Sequence, residues 1–234
     1  KKGEKIKDNV AFARMADEAW GGTQAQGAYD MSQAYDALEM GVNMYIRDKQ
    51  IVPSRYATAA SIKKSVAALK EQVMDKLPTM SNRSERKMQF QQFSTPPNYS
   101  AVANWLLGTK EGDVVLEPSA GLGGLAVFAK NAGATVYVNE LDPQRAALLS
   151  RMGFDGVFTE NAEQIDNVLP DNIRPNRIIM NPPFSSSAGR TSRNDTMNAA
   201  QHIEQALERL ADGGRAVMIL GKGMADEAPR FKAF

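Results

Sequence analysis

The stretch DVVLEPSAGLGG, residues 113–124, decides the fold class predicted for this 234-residue chain. Its apolar first half predicts a short buried strand, and its second half predicts a glycine-rich turn that leads into a helix. Glycine lets the backbone come close to a ligand, and the start of a helix offers free N–H groups. Four later segments also predict strands, with helices between them: 134–140, 156–160, 177–180 and 215–220. This alternation predicts an α/β fold, a doubly wound parallel sheet with ligands at the carboxyl ends of its strands.

The first 90 residues predict helices instead. Apolar side chains recur three or four positions apart, with one longer gap, in two stripes that we interpret as core-facing: Met31, Tyr35, Leu38, Val42 and Tyr45, then Ile62, Val66, Leu69, Val73 and Leu77. The segment 63–87 carries seven basic and three acidic residues. Such a balance is typical of a nucleic-acid-binding track and equally of a solvated helix face. We therefore predict a helical, partly basic extension over residues 1–90 and an α/β core over residues 91–234.

The composition excludes several kinds of chemistry. Cysteine is absent and His202 is the only histidine, so disulfides, thiolate zinc sites and cysteine nucleophiles are excluded, and we predict no metal site. We expect His202 to be a surface or packing residue. The chain contains no apolar run of membrane-spanning length and opens with no signal peptide, so we expect no membrane partner. Because it does not begin with Met, we expect it to belong to a longer protein with further domains.

Acidic side chains surround the glycine turn. Glu117 lies just before the glycines, where a pyrophosphate would be repelled by a carboxylate. Glu140 ends the second predicted strand, where a carboxylate can accept from both hydroxyls of a ribose. An acidic turn suits a cationic ligand, and S-adenosylmethionine carries both an ammonium and a sulfonium. The candidate cofactor-binding residues of this region are Glu117, Pro118, Ser119, Ala120, Gly121, Glu140 and Leu141.

Asn161 and Ala162 follow the third predicted strand. A side-chain amide at this place can hydrogen-bond the exocyclic amine of an adenine, which makes Asn161 a candidate for the cofactor's adenine. A plain helix cap is the alternative interpretation of Asn161.

The corner AsnProProPhe, residues 181–184, follows the fourth predicted strand and therefore opens at the same sheet edge. Its prolines, Pro182 and Pro183, cannot continue a central strand, because each lacks an N–H and has a fixed φ. The Asn181 amide oxygen and the Pro182 carbonyl can accept the two hydrogens of an amine and turn its lone pair towards an electrophile. Phe184 offers a face on which a base can stack. A purely structural turn is the alternative.

These residues resemble a known family. The corner matches the [DNS]PP[YFW] motif of the class I S-adenosylmethionine-dependent amino methyltransferases, and GlnPheSerThrProPro, residues 92–97, resembles their leading motif. The order of leader, glycine turn and corner, over roughly residues 90–222, is similar to that of the gamma-class DNA adenine-N6 methyltransferases. The resemblance implies a Rossmann-like fold with S-adenosylmethionine as the cofactor. The family's sheet normally has seven strands, so we predict a sheet truncated after strand five.

The resemblance also implies roles for individual residues. Thr95 would bind the methionine end of the cofactor together with Glu117 and Gly121. Glu140 would bind its ribose and Asn161 its adenine. The residues Asn181, Pro182, Pro183 and Phe184 would hold the target adenine, with Asn181 also near the cofactor.

The leading functional hypothesis is an adenine-N6 DNA methyltransferase that flips its target base out of the duplex at a cost of a few kcal/mol. Residues 185–194 would close over the base, with Arg190 and Arg193 meeting phosphates, although a plain disordered loop explains their composition equally well. One alternative is N-methylation of an RNA base or of a protein glutamine. Another is a non-catalytic module that binds cofactor or nucleic acid. We expect the cytoplasm of a bacterial or phage-infected cell as the location.

Overall fold

The computed structural model describes residues 4–78, 94–183 and 197–221 of the chain. Its strands are β1 Val114–Glu117, β2 Thr135–Asn139, β3 Gly156–Phe158, β4 Arg177–Met180 and β5 Arg215–Met218. Its α-helices are α1 Asn9–Trp20, α2 Met31–Asp48, α3 Ala59–Gln72, α4 Pro97–Leu107, α5 Ala126–Asn131, α6 Pro143–Leu149, α7 Ile165–Val168 and α8 Met197–Glu208. Short 3-10 helices cover Gln24–Gln26, Met74–Lys76, Ser150–Met152 and Ala162–Gln164.

The five strands form one parallel sheet in the order β3-β2-β1-β4-β5. This arrangement confirms the doubly wound α/β fold and all five predicted strands, most of them one to three residues shorter than predicted. The chain runs outward from β1 through β2 to β3, then returns to the other side of β1 as β4. The strand order therefore reverses between β1 and β4, the place where a ligand crevice opens in folds of this kind. Glu117 and Asn181 leave the sheet at these two neighbouring strand ends.

The central strands are buried on both faces, as in other parallel sheets covered by helices. Val115, Val136 and Val138 contribute to one cluster with Leu107 of α4, and Ile178 contributes to another on the opposite face with residues of α7 and α8. Residues in these clusters are almost fully removed from solvent. The strands thus owe their position to apolar burial on both faces.

The helices of the first 90 residues pack onto this core. Met40 and Ile46 of α2, with Leu69 of α3, share one buried cluster with Val127 and Phe128 of α5. The stripe predicted for α3 is confirmed where it is deepest, at Ile62, Leu69 and Val73. The boundary at residue 90 stays a prediction, because residues 79–93 lie outside the described part of the chain.

The apolar stripe predicted to face the core from α2 is wrong at its last residue, Tyr45. Tyr45 is 39% exposed, whereas Ile46 beside it is fully buried. The buried face of α2 also includes Asp36 and Asn43. These polar residues pair with the α/β core, so a pattern based on apolar spacing alone places the buried face incorrectly.

Among the described helices, none combines the length and the apolar character that crossing a bilayer requires.

Candidate active site

The glycine turn after β1 has a backbone that only glycine adopts easily. Gly121 has φ 57° and Gly123 has φ 81°, both in the left-handed region. A Cβ on Gly123 would also lie 2.9 Å from the ring of Phe154. The turn therefore requires glycine at position 123 for two reasons, conformation and space.

Glu117, the last residue of β1, is almost completely buried at the bottom of this turn. Its Oε2 accepts a hydrogen bond of 2.8 Å from the backbone N–H of Ala126, the first residue of α5. Burial raises the pKa of Glu117 well above its usual range, the bond from Ala126 opposes this, and the negative charges of Glu140 and Glu39 add to it. Because the chain's own carboxylate occupies the helix start, this turn is poorly suited to an anionic ligand.

Glu140 connects the end of β2 to the same turn. Its Oε2 accepts from the Gly121 N–H and its Oε1 from the Asp142 N–H, each at 2.8 Å. Burial raises the pKa of this carboxyl as well, while the two backbone donors and the Arg145 guanidinium oppose the shift. Leu141, the next residue, is about half exposed. The structure therefore brings Glu117 and Glu140 together on either side of the glycine turn.

Asn181 lies at the end of β4, beside the segment that precedes α4. Its Nδ2 donates a hydrogen bond of 2.9 Å to Thr95 Oγ1. Its Oδ1 is buried and has no hydrogen-bond partner among the described residues. A buried amide oxygen without a partner costs free energy on the order of 1–3 kcal/mol. Such an atom is a candidate acceptor for a ligand.

One cleft contains six of the predicted site residues. Its lining consists of Glu39, Ser94, Thr95, Glu117, Ser119, Ala120, Gly121, Gly124, Leu125, Arg145 and Asn181. The predicted residues Thr95, Glu117 and Asn181 therefore meet here, although Thr95 and Asn181 are 86 positions apart in the sequence. Pro118 is held beside the cleft, since its carbonyl accepts from Asn139 Nδ2.

Asn161 and Ala162 do not line this cleft. Asn161 is exposed, and its Oδ1 accepts from the Glu163 N–H at 3.0 Å, which caps a short 3-10 helix. The structure thus shows the capping role that was the alternative interpretation of Asn161. Its contact with a cofactor's adenine stays a prediction.

Several predicted site residues lie outside the described residues. They are Phe184, Arg190 and Arg193, together with the first two residues of the leading motif, Gln92 and Phe93. Pro182 is buried and Pro183 is half-buried directly after Asn181.

Comparison with known proteins agrees with this fold. No protein-family model matches the chain. The type II restriction enzyme and methyltransferase RM.BcgI of Heyndrickxia coagulans is 25% identical over 57% of this chain and 25% of its own length. The solved structure of PH1948 from Pyrococcus horikoshii, a candidate RNA methyltransferase, has 24% identity and a TM-score of 0.50 over 76% of each chain. The chain has the class I methyltransferase fold.

A further solved structure is more distant. The modification subunit of a candidate type I restriction enzyme from Vibrio vulnificus has 18% identity and a TM-score of 0.44, with 82% of this chain and 53% of that chain covered. The chain spans about a quarter of the length of the curated relative, RM.BcgI.

His202 lies against the glycine turn of this methyltransferase fold. It is buried on α8, with Nδ1 3.4 Å from Ser119 Oγ and Nε2 4.0 Å from Glu163 Oε1. Burial lowers the pKa of the imidazole, and the charge of Glu163 opposes the shift. Of the two expectations for His202, a surface or a packing residue, the structure shows the buried one. No pattern in the sequence predicted that His202 would lie beside Ser119.

Sequence reasoning missed a buried ion cluster at the cleft. Arg145 of α6 donates through Nη2 to Asp36 Oδ1 at 3.0 Å, and the same nitrogen lies 3.6 Å from Glu39 Oε2. Burial alone would lower the pKa of the guanidinium, but the carboxylates of Glu39 and Asp36 raise it. The two acids lie three positions apart on α2, and such spacing on an amphipathic helix was the available signal.

Proposed function

We propose that the chain transfers a methyl group from S-adenosylmethionine to the N6 amine of adenine in DNA. The buried, unpartnered Oδ1 of Asn181, in one cleft with the glycine turn and Glu117, is the observation that carries this proposal. The methyltransferase fold and the relative RM.BcgI support methyl transfer as the reaction class.

The residues of the cleft fit the cofactor. The carboxylates of Glu117 and Glu39 line the cleft, and Glu140 lies directly behind Gly121. The charges of Glu140 and Glu39 raise the pKa of the buried Glu117 beyond what burial alone does, so negative charge is in local excess around that carboxyl. A ligand with cationic groups relieves that excess. When bound, S-adenosylmethionine supplies an electrophilic methyl group on a sulfonium.

The corner supplies the acceptors for the target amine. Asn181 Oδ1 and the Pro182 carbonyl accept the two amine hydrogens, which raises electron density on the nitrogen. Thr95 Oγ1 holds the other end of the Asn181 amide, so the oxygen rather than the NH₂ group is left for the substrate. The chain's part in the reaction is therefore orientation and hydrogen bonding. No side chain is required as a general base before the methyl group moves, and the extra proton on the methylated amine would then pass to solvent.

Two observations favour DNA as the polymer. The ThrProPro leader, which includes Thr95, resembles the leader of the gamma-class DNA adenine methyltransferases. The relative RM.BcgI is a restriction enzyme and methyltransferase. By the same resemblance Phe184 holds the flipped base. Arg190 and Arg193 are proposed to meet the phosphates because of their positive charge, not because of the resemblance.

A methylation assay across polymers tests the proposal. We expect transfer of labelled methyl from S-adenosylmethionine to unmethylated DNA, with N6-methyladenine identified by mass spectrometry. Asn181→Ala should lower the rate by about 10²–10³-fold, the loss typical of removing one preorganised hydrogen-bonding group. Its affinity for S-adenosylhomocysteine should stay within a few-fold of the wild type.

Asn167→Ala is the matched control, because that amide is exposed and bonds only to Gln205 Oε1 among its described contacts. It should leave the rate unchanged. If the labelled methyl group were found in RNA or on a protein glutamine, that polymer and not DNA would be the substrate. Full activity of Asn181→Ala would exclude the corner from the mechanism, and failure to bind S-adenosylhomocysteine would favour a non-catalytic module.

A further inference from the structure

A buried imidazole lies directly behind one wall of the cleft. His202 of α8 has its Nδ1 3.4 Å from Ser119 Oγ, and Ser119 lines the cleft at the start of the glycine turn. Nε2, on the other side of the ring, is 4.0 Å from Glu163 Oε1. The imidazole therefore connects α8, the first described element after the corner, to a hydroxyl that a ligand in the cleft would meet.

Among the described residues, Glu163 is the one whose charge shifts the pKa of this imidazole. It faces Nε2 from a short 3-10 helix, whereas Asp166 of α7, the other helix packed on α8, lies 3.7 Å from Arg209 Nε. The acids of α8 itself, Glu204 and Glu208, are exposed. One carboxylate, on the side away from the cleft, therefore determines the electrostatic environment of the ring.

This environment determines where the ring carries its proton. Burial lowers the pKa of His202 below its ordinary value and outweighs the charge of Glu163, so the imidazole is neutral at neutral pH. A neutral imidazole has one N–H, and the carboxylate of Glu163 beside Nε2 favours the proton on that nitrogen. Nδ1 is then an acceptor, and the Ser119 hydroxyl donates to it.

Other donors at the cleft are also engaged by the chain itself. The Asn181 amide nitrogen donates to Thr95, which leaves the buried Asn181 Oδ1 without a partner among the described residues. The Gly121 N–H donates to Glu140. Arg145, the one cationic side chain in the described lining, forms ion pairs with two carboxylates of α2. A ligand that itself offers hydrogens therefore fits this lining.

We propose that His202 is a positioning residue, which holds the Ser119 hydroxyl so that its oxygen accepts a hydrogen bond from the bound cofactor. The inference rests on the proposed function, in which S-adenosylmethionine binds in this cleft. While Nδ1 accepts the hydroxyl hydrogen, the lone pairs of Ser119 Oγ are left for N–H and O–H groups of the cofactor. Protonation of the ring puts a hydrogen on Nδ1 as well, so the hydroxyl must turn its own hydrogen away from the ring and oppose the same groups.

Nitrogen NMR on the full chain with isotopically labelled histidine tests the first part. His202 is the only histidine, so the signals report on this ring alone. Without ligand at neutral pH we expect the neutral Nε2–H form. Glu163→Ala should increase the share of the Nδ1–H form, and Glu208→Ala, the same change at an exposed position of α8, should not. A wild-type ring protonated on Nδ1, or a tautomer that does not respond to Glu163→Ala, would overturn the proposal.

Calorimetry with S-adenosylhomocysteine, on either side of the His202 pKa found by NMR, tests the second part. On acidification the wild type should lose about 3- to 10-fold more affinity than His202→Asn, the equivalent of one hydrogen bond. The Asn variant retains an oxygen acceptor for Ser119 and does not titrate, so its affinity at neutral pH should stay close to that of the wild type. Glu117 and Glu140 titrate in both proteins, and the comparison removes their contribution.

Ser119→Ala separates positioning from a direct effect of the imidazolium charge. This variant retains the imidazole but has no hydroxyl to orient, so it should lose no more affinity on acidification than His202→Asn. If Ser119→Ala showed the full loss of the wild type, or if all three proteins had parallel pH profiles, the proposal would be overturned. A wild-type chain that binds no S-adenosylhomocysteine at either pH would instead overturn the proposed function, and the tautomer measured without ligand would still decide whether His202 holds Ser119.

Discussion

The two ends of strand β1 hold buried carboxylates in opposite states. Asp113, just before the strand, is fully buried and accepts from the Lys110 N–H at 3.0 Å and from Asn176 Nδ2 at 2.9 Å, with Arg177 Nε 3.6 Å away. Burial raises the pKa of Asp113, but these donors and charges outweigh burial and lower it. Glu117, four residues later, accepts a hydrogen bond from the Ala126 N–H, and its pKa is raised.

The difference lies in the partners, since both side chains are removed from water. At the amino edge of the sheet the chain supplies Asp113 with hydrogen bonds and positive charge, so the carboxylate contributes to stability. At the carboxyl edge Glu117 has other carboxylates nearby, so the protein itself does not satisfy its charge. A carboxylate completed by its own chain is structural, and a buried carboxyl in a cleft whose pKa its surroundings raise is a candidate functional group.

The largest expected effect is a loss of stability on mutation of Asp113, at the amino edge of the sheet. Asp113→Ala leaves Asn176, Arg177 and the Lys110 N–H without their buried partner. The free energy of unfolding should fall by about 3–5 kcal/mol, as when one member of a buried ion pair is removed. Urea denaturation measures this, and Asp155→Ala, which removes a more exposed carboxylate paired with Lys130, is the comparison. If Asp113→Ala lowered the free energy of unfolding by less than about 1 kcal/mol, Asp113 would not be the stabilising carboxylate that distinguishes the amino edge of the sheet from the carboxyl edge.

A smaller effect, on activity and not on stability, is expected at the carboxyl edge. Thr95→Val removes the acceptor of the Asn181 Nδ2 hydrogen bond, so the amide is free to turn its oxygen away from the substrate. The turnover number should fall by about 5- to 150-fold, equivalent to 1–3 kcal/mol for one lost buried partner, with less change in the KM for the cofactor. Thr95→Ser retains the acceptor and should recover most of the rate. Unchanged turnover in Thr95→Val would mean that Asn181 keeps its orientation without Thr95.

The smallest effect is a dependence of stability on pH. The folded pKa of Glu117 lies above its ordinary value of 4.5, so the protonated carboxyl favours the folded state. Its contribution is complete below pH 4.5 and is lost as the pH rises through the folded pKa. Glu117→Gln lacks this loss, so its stability relative to the wild type should increase with pH, by about 1.4 kcal/mol for each unit of the shift. Parallel pH profiles for the two proteins in chemical denaturation would contradict the raised pKa.

The sequence predicts the sheet and the heart of the site because both depend on local patterns. Apolar runs followed by glycine or proline mark the ends of β1 and β4, and the parallel topology brings those ends together. Local patterns therefore suffice to place Glu117 and Asn181 at one edge of the sheet, whereas Thr95 is assigned to the same site through the family resemblance. They do not suffice for Arg145, because its partner Asp36 is 109 positions away and neither residue stands in a recognisable motif.

Long-range contacts and side-chain orientation also explain where the sequence-based predictions for α2 and Asn161 differ from the structure. The apolar pattern misplaces the core face of α2 at Tyr45 because the buried face includes Asn43, a polar residue that binds the glycine turn. Asn161 follows β3 as expected, yet its side chain forms a local hydrogen bond with the Glu163 N–H. Whether an amide caps a helix or contacts a ligand depends on side-chain orientation, which a linear pattern does not contain.

The buried guanidinium of Arg145 also constrains how the chain is made. The ribosome adds about 5–20 residues per second, so α2 is synthesised about 5–20 s before its partner at position 145. During that interval Asp36 and Glu39 remain hydrated, and the N-terminal helices cannot complete their packing. A sheet without α2 would leave Arg145 without both of its carboxylate partners. Helix α2 therefore completes its contacts with Arg145 only after α6 has been synthesised.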